Sequence, residues 1–327
     1  MNVPFVNFGA QYLAHKDEYD EAIQRPLTSG KLILQEDLEH FEENLAKFLG
    51  MKYAVGTADG TNALILAMHA LGEKMPQNVN VTDYTFKATH EAIYHTNHVG
   101  HRVDINPMTR MPVAQVDLSV HIEGMVSHST NAVLEDACQA LGAKGVGYSG
   151  TACFSFYPAK ILGCFGDGGA IATNDKDVYD QVKLLRHHWQ TNVYEQFGFN
   201  SRLDNVQASF LNVKLKYLPE ILKRREQIAM KYKELEGYVG LPFYQEGRVW
   251  QDYVITTPDS AKMTAWLKEQ GIQTLGQGMT PPHKAMNTTV DLPNTIELYK
   301  TMLRLPCNET LTDEQIEYVI AKVKEYV

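Results

Sequence analysis

The chain has 327 residues, enough for one large domain, a smaller companion and an extensive buried core. Hydrophobic residues make up 44% and charged residues 21%, a globular balance that excludes collagen-like, low-complexity and disordered readings. Thirty Lys and Arg against 39 Asp and Glu leave a formal charge of −9, so no nucleic-acid partner is expected.

No apolar run approaches the roughly 18 residues of a spanning helix, and residues 1–16 lack a basic start followed by an apolar stretch. The expectation is a cytoplasmic chain without a membrane partner. Cys138, Cys153, Cys164 and Cys307 form no Cys-x-x-Cys pair and read as reduced core thiols. In that compartment the sequons at Asn287 and Asn308 carry no sugar.

In chain order, Leu38, Phe41, Leu45, Phe48 and Leu49 recur at helical spacing, with Gly50 as the C-cap. Short apolar runs at 53–55, 79–81, 113–116 and 132–134 then alternate with helical patterns at 62–71 and after Thr85. Such alternation calls for crossover units and a mainly parallel sheet covered on both faces. Runs at 153–156 and 170–173 add two strands around a Gly-rich loop.

A helix is expected from Asp175 to about His187, then a polar loop containing Gly198, then one long amphipathic stretch over 204–235 leading out of the large domain. Beyond it come a strand at 253–256, a helix at 261–270 and a loop with Pro281 and Pro282. The terminal helix opens with Thr312 and Gln315 in capping-box spacing and aligns Ile316, Val319, Ile320 and Val323. The fold class is α/β: a large domain over residues 1–235 with a mainly parallel sheet between helices, and a smaller α/β domain over 236–327. No repeat of fixed period is found.

Ligands of a parallel sheet collect outside the carboxyl ends of its strands, and three strand ends here carry polar chemistry. One run enters Glu135-Asp136, another enters Tyr157-Pro158-Ala159-Lys160, and a third enters Thr57-Ala58-Asp59-Gly60-Thr61 at a helix start. This set suits pyridoxal phosphate. The aldehyde needs a lysine amine, the pyridinium nitrogen needs a carboxylate, and the phosphate needs free backbone donors at a helix N-terminus. Taken singly, Asp136 reads equally as an N-cap, Gly60-Thr61 as an ordinary helix start and Phe86 as core.

The motifs Leu134-Glu135-Asp136-Ala137-Cys138-Gln139-Ala140-Leu141-Gly142-Ala143, Phe154-Ser155-Phe156-Tyr157-Pro158-Ala159-Lys160 with Gly166-Asp167-Gly168-Gly169, and Gly198-Phe199-Asn200-Ser201-Arg202-Leu203-Asp204 occur in that order. Together they resemble the DegT/DnrJ/StrS family of nucleotide-sugar aminotransferases, pyridoxal-phosphate enzymes of fold type I. The resemblance implies that Lys160 is the Schiff-base lysine and proton shuttle and that Asp136 partners the ring nitrogen. It implies that Gln139 contacts the ring hydroxyl, Phe86 stacks on the ring, and Gly60, Thr61 and Ser155 hold the phosphate. Asn200 would reach in from the second subunit of a homodimer, and Tyr157, Arg202 and His283 are the candidates for substrate contact.

Family members that dehydrate a deoxysugar carry His in place of the lysine, so Lys160 implies transamination, with glutamate as donor and a keto-deoxysugar nucleotide as acceptor. The Asn200-Ser201-Arg202 form is similar to members acting on 3-keto sugars. Asp83 and Lys87 depart from the family pattern, and the chain lacks residues at 116–132 and 278–304 that typical members use for a crossover helix and substrate loops. One alternative is a sugar dehydratase of the same family, and the shortening motivates another, a cofactor-binding regulatory protein without turnover. His95, His98 and His101 are spaced by three, but no Cys or carboxylate completes a zinc pattern and Gly100 interrupts the helix, so no metal is expected.

Overall fold

The structure, a computed structural model, describes residues 1–190, 197–276, 281–285 and 289–327. Three helices lead in: α1 (Phe8–Ala14), α2 (Lys16–Ser29) and α3 (Glu36–Leu49). Strand β1 (Tyr53–Thr57), helix α4 (Gly60–Leu71), β2 (Asn78–Thr82), α5 (Lys87–His95) and β3 (Val99–Val103) follow. Next come β4 (Leu118–Val120), β5 (Leu134–Asp136), β6 (Thr151–Ser155), β7 (Gly169–Thr173) and α6 (Lys176–Leu185).

These seven strands form one sheet in the order β1-β7-β6-β5-β4-β2-β3. The pairings from β3 through β6 are parallel, whereas β7 runs antiparallel to both β6 and β1. Alternate residues of a strand face opposite sides, and both sides here are apolar. Ala152, Phe154, Ala170 and Ala172 enter one buried cluster, while Cys153 and Ile171 enter the other. The sheet is therefore covered twice.

Two expected strands move. The paired stretch is Leu118–Val120 rather than 113–116, because the Val116 N–H is taken by Ser129 Oγ at 2.9 Å before the ladder begins. Residues 132–134 give way to Leu134–Asp136, since the buried Glu135 is satisfied inside the fold by His121 and by the N–H groups of Gly147 and Ser149. Between β4 and β5 only a 3-10 turn at Ile122–Gly124 is formed, so this crossover lacks an α-helix.

The stretch expected as one helix over 204–235 is two, α7 (Asn205–Lys216) and α8 (Leu218–Lys231). Pro219 in the first turn of α8 supplies no N–H to continue α7. The remaining elements are β8 (Tyr253–Thr256), α9 (Ser260–Glu269), α10 (Pro282–Ala285), α11 (Pro293–Thr301), β9 (Met302–Leu305) and α12 (Asp313–Tyr326). Strands β8 and β9 pair antiparallel over a separate cluster holding Tyr232, Trp250, Ile316 and Val319, and the Thr312–Gln315 capping box is formed.

Strand β3 places His101 outside any helix, while His95 closes α5. No group of three potential metal ligands occurs among the described residues. The four cysteines are free, and no helix among the described residues is long and apolar enough to cross a membrane. Asn287 lies outside the described residues, and Asn308 is buried.

Candidate active site

A cavity of about 550 Å³ opens where the ends of β5 and β6, the N-terminus of α4 and the smaller sheet meet. It brings together Gly60, Thr61, Phe86, Asp136, Gln139, Ser155, Tyr157 and Lys160, all of them singled out from sequence. Distant segments converge because parallel strands end on one side of the sheet.

Asp136 ends β5 and is 7% exposed. Its Oδ2 accepts from Thr89 Oγ1 at 2.7 Å, and its Oδ1 accepts from the Cys138 N–H at 3.2 Å. Thr89 is itself paired with Thr85 at 2.6 Å, so the carboxylate is held from α5 as well as from its own strand. Burial, with the Asp136 charge beside it, pushes the Cys138 thiol well above its ordinary range, which leaves it neutral.

His121 stands under the cavity with both ring nitrogens engaged. Nδ1 accepts from the Ser127 N–H at 3.1 Å, which leaves the proton on Nε2 to donate to Glu135 at 2.8 Å. Burial alone would raise the Glu135 carboxyl; His121 and the Gly147 and Ser149 N–H groups outweigh it and hold it below the usual range. Gln139 Oε1 accepts from the Glu123 N–H at 2.8 Å, and its amide NH₂ donates to no group among the described residues.

The lysine loop is fixed by its backbone. Gln251 brackets Lys160, accepting from the Ile161 N–H at 3.0 Å and donating to the Ala159 carbonyl at 3.0 Å. A methyl on Gly163 would lie 2.3 Å from the Pro158 carbonyl oxygen, so only glycine fits that turn. Lys214 Nζ caps the Gly163 carbonyl at 3.2 Å, and burial draws its ammonium down to about 8. Lys160 Nζ itself has no hydrogen-bond or ion-pair partner among the described residues.

At the other end, Asp59 caps α4 by accepting from the Asn62 N–H at 2.8 Å. A methyl on Gly60 would come within 2.7 Å of Ser155 Cβ, so the helix start and the end of β6 can approach only without a side chain there. The result is a small cradle of main-chain donors and hydroxyls, suited to a phosphate.

Three candidates are not brought to the cavity of this chain. Asn200 is exposed, in a bridge with His187, and Arg202 Nη1 lies 3.0 Å from His187 Nδ1. His283 is buried with its Nδ1 2.5 Å from Asp83 Oδ2, tying α10 to the loop before α5. Conversely, Gln251, Asp252 and Arg304 line the cavity without having been foreseen; they lie on the smaller sheet or beside it, and no local pattern marks them.

A cavity pairing a lysine loop after one strand with a buried Asp at the end of its neighbour, on a mainly parallel sheet with a smaller C-terminal sheet, defines the fold of pyridoxal-phosphate-dependent aminotransferases. The chain belongs to the DegT/DnrJ/EryC1/StrS aminotransferase family, whose model matches residues 14–134 and 116–324.

It is 32% identical to a "pleiotropic regulatory protein" of Geobacillus stearothermophilus, covering 100% of this chain and 99% of that one, in an alignment of 367 positions. It is also 32% identical to the dTDP-3-amino-3,4,6-trideoxy-alpha-D-glucose transaminase of Streptomyces venezuelae, over 99% of this chain and 96% of the other. Among solved structures, S. venezuelae DesV in complex with a ketimine intermediate superposes with a TM-score of 0.91 at 32% identity, covering 99% and 98% of the two chains. NtdA of Bacillus subtilis with bound cofactor PMP gives 0.87 at 27% identity, over 99% and 85%.

Proposed function

We propose that this protein is a pyridoxal-phosphate-dependent aminotransferase that moves an amino group from glutamate to a keto-deoxysugar nucleotide, at carbon 3 of the sugar. The observation that carries this reading is the joint lining of one cavity by Lys160, whose amine is unengaged among the described residues, and by Asp136, a buried carboxylate held by Thr89.

The donor set fits the cofactor. Asp136 would hold the ring nitrogen, Gln139 would offer its free NH₂ to the ring hydroxyl, and Phe86 would cover the ring face. Gly60, Thr61 and Ser155 would take the phosphate at the N-terminus of α4. When bound, the cofactor supplies an electron sink for removal of a proton from carbon. Lys160 Nζ would take up that proton and return it, and Tyr157, which lines the same cavity, would be a further substrate contact.

Asn200 is exposed, which supports its service to the second site of a homodimer, with Arg202 and His283 contributing to the sugar side. The same reading divides the chain into a cofactor-holding domain over 1–235 and a smaller domain over 236–327 that closes the cavity through Gln251 and Arg304. It places the protein in the cytoplasm, where its four free thiols stay reduced. The 3-amino sugar in the name of the S. venezuelae relative supports carbon 3.

Purified protein is expected to be yellow and, after borohydride, to carry the pyridoxyl mass on the peptide containing Lys160. Lys160→Ala should abolish turnover while leaving the stability of the cofactor-free protein within about 0.5 kcal/mol, because the Nζ has no hydrogen-bond or ion-pair partner among the described residues. A colourless protein that takes up no added cofactor would sink the reading. A second reading, a cofactor-binding regulator without turnover, is favoured by the missing crossover helix and by the name of the Geobacillus relative. Conversion of the bound cofactor by glutamate, followed by amination of a keto-sugar nucleotide, separates the two.

A further inference from the structure

Arg304 stands on β9 with its backbone tied from both sides. It opposes Val254 of β8, and it exchanges hydrogen bonds with Leu275, N–H to O at 2.7 Å and O from N–H at 3.2 Å. Its side chain is 2% exposed and lines the same cavity as Lys160. Nε donates to Asp252 Oδ2 at 3.0 Å. Nη1 and Nη2 are sealed from solvent and meet no acceptor among the described residues.

Neighbouring buried arginines behave differently. Arg110 places Nη1 on both carboxylate oxygens of Glu123, at 2.8 and 2.9 Å, and Nη2 on the Val254 carbonyl at 3.1 Å. Arg248 has acceptors for both Nη atoms and lacks one only at Nε. Arg304 alone of these three presents an unused fork, and a fork of two parallel N–H donors matches the two oxygens of a carboxylate. Buried donors left without acceptors are rare in native proteins and call for an explanation at each occurrence.

Charge in the cavity sharpens the point. Asp59, Asp136, Asp167 and Asp252 line it, against Lys160 and Arg304 as its two lysine or arginine cations among the described residues. With Lys160 committed to the cofactor, Arg304 is the remaining cation for an anionic substrate group.

We infer that Arg304 binds a carboxylate of the substrate through Nη1 and Nη2, with Asp252 setting the plane of the guanidinium through Nε. This inference rests on the proposed aminotransferase reading, which supplies the two sources of a carboxylate: the amino-acid donor, or a sugar acid on the acceptor side.

The test is calorimetric binding of 2-oxoglutarate, UDP-glucuronate and UDP-glucose to the purified protein, its Arg304→Gln variant and its Arg304→Lys variant. Arg304→Gln should weaken one carboxylate ligand by about tenfold to hundredfold, the scale of a lost charge-assisted fork, with UDP-glucose within about twofold. Loss confined to 2-oxoglutarate assigns the donor, and loss confined to UDP-glucuronate assigns a sugar acid. Arg304→Lys keeps the charge opposite Asp252 without the fork and should fall between, and it carries the same comparison if Arg304→Gln does not fold. Unchanged carboxylate binding in the variants, absence of carboxylate binding in the parent protein, or equal loss of all three ligands would overturn the inference. Cofactor content, read separately by absorbance, tells failure of the aminotransferase reading from failure of the carboxylate site.

Discussion

Gln251 shows how a side chain from the smaller sheet region can position the lysine proposed to react. Its amide grips the main chain on both sides of Lys160, so it sets where the Nζ points. Gln251→Ala is expected to lower kcat by about tenfold or more while cofactor content stays near that of the parent protein, since small misplacements of a reacting group are costly. Lost cofactor with unchanged kcat per bound cofactor would contradict this. His90 is a second residue with a measurable signature. Burial first, and then the Arg102 charge, draw it from 6.5 down to about 4 against the pull of Asp83. The unfolded chain therefore takes up a proton before the folded one does, and stability falls as pH drops from about 6.5 toward 4, by on the order of 3 kcal/mol. Melting temperature followed across that window should decline more gently in His90→Gln than in the parent protein; equal slopes would exclude the assignment.

At the scale of elements, the loop between β6 and β7 is held by close main-chain approach. Gly163→Ala should cost about 1–3 kcal/mol by forcing the Pro158 carbonyl aside. The melting temperature should then fall by a few degrees, with cofactor retention impaired, and an unaltered melting temperature would show that the turn can yield. Elements legible from periodicity alone were those with a clean apolar pattern: β1, α4, β2, β8 and α12 all fall within about two residues of their expected places. Three of the strands misplaced or unread carry buried polar residues that the fold satisfies elsewhere. Ser119 donates to the Ser127 carbonyl, Glu135 pairs with His121, and Arg304 pairs with Asp252, so β4 and β5 shift and β9 goes unnoticed.

At the scale of the whole molecule, the proposed homodimer makes a quantitative expectation. If Asn200 serves the other subunit's site, Lys160→Ala and Asn200→Ala proteins, each impaired alone, should regain activity when mixed and allowed to exchange subunits. Half of a statistical mixture is heterodimer with one intact site, so the recovery is about a quarter of the parent activity. No recovery, with exchange verified by mass, would mean that Asn200 acts within its own chain.

The alternation of apolar runs and helical patterns was sufficient for the fold class, and eight residues that line the cavity were named from the motifs: the demands of an aldehyde, a ring nitrogen and a phosphate mark Lys160, Asp136, Gly60 and Thr61, whereas Phe86, Gln139, Ser155 and Tyr157 came with the family resemblance. Folding alone decided which side chains outside those motifs join them. Gln251 and Arg304 come from the smaller sheet region, about 90 and 144 positions beyond Lys160, and a contact across such a separation leaves no local period to read. The same holds for the two unused nitrogens of Arg304: whether a guanidinium is saturated depends on what packs around it, which is a property of three-dimensional surroundings.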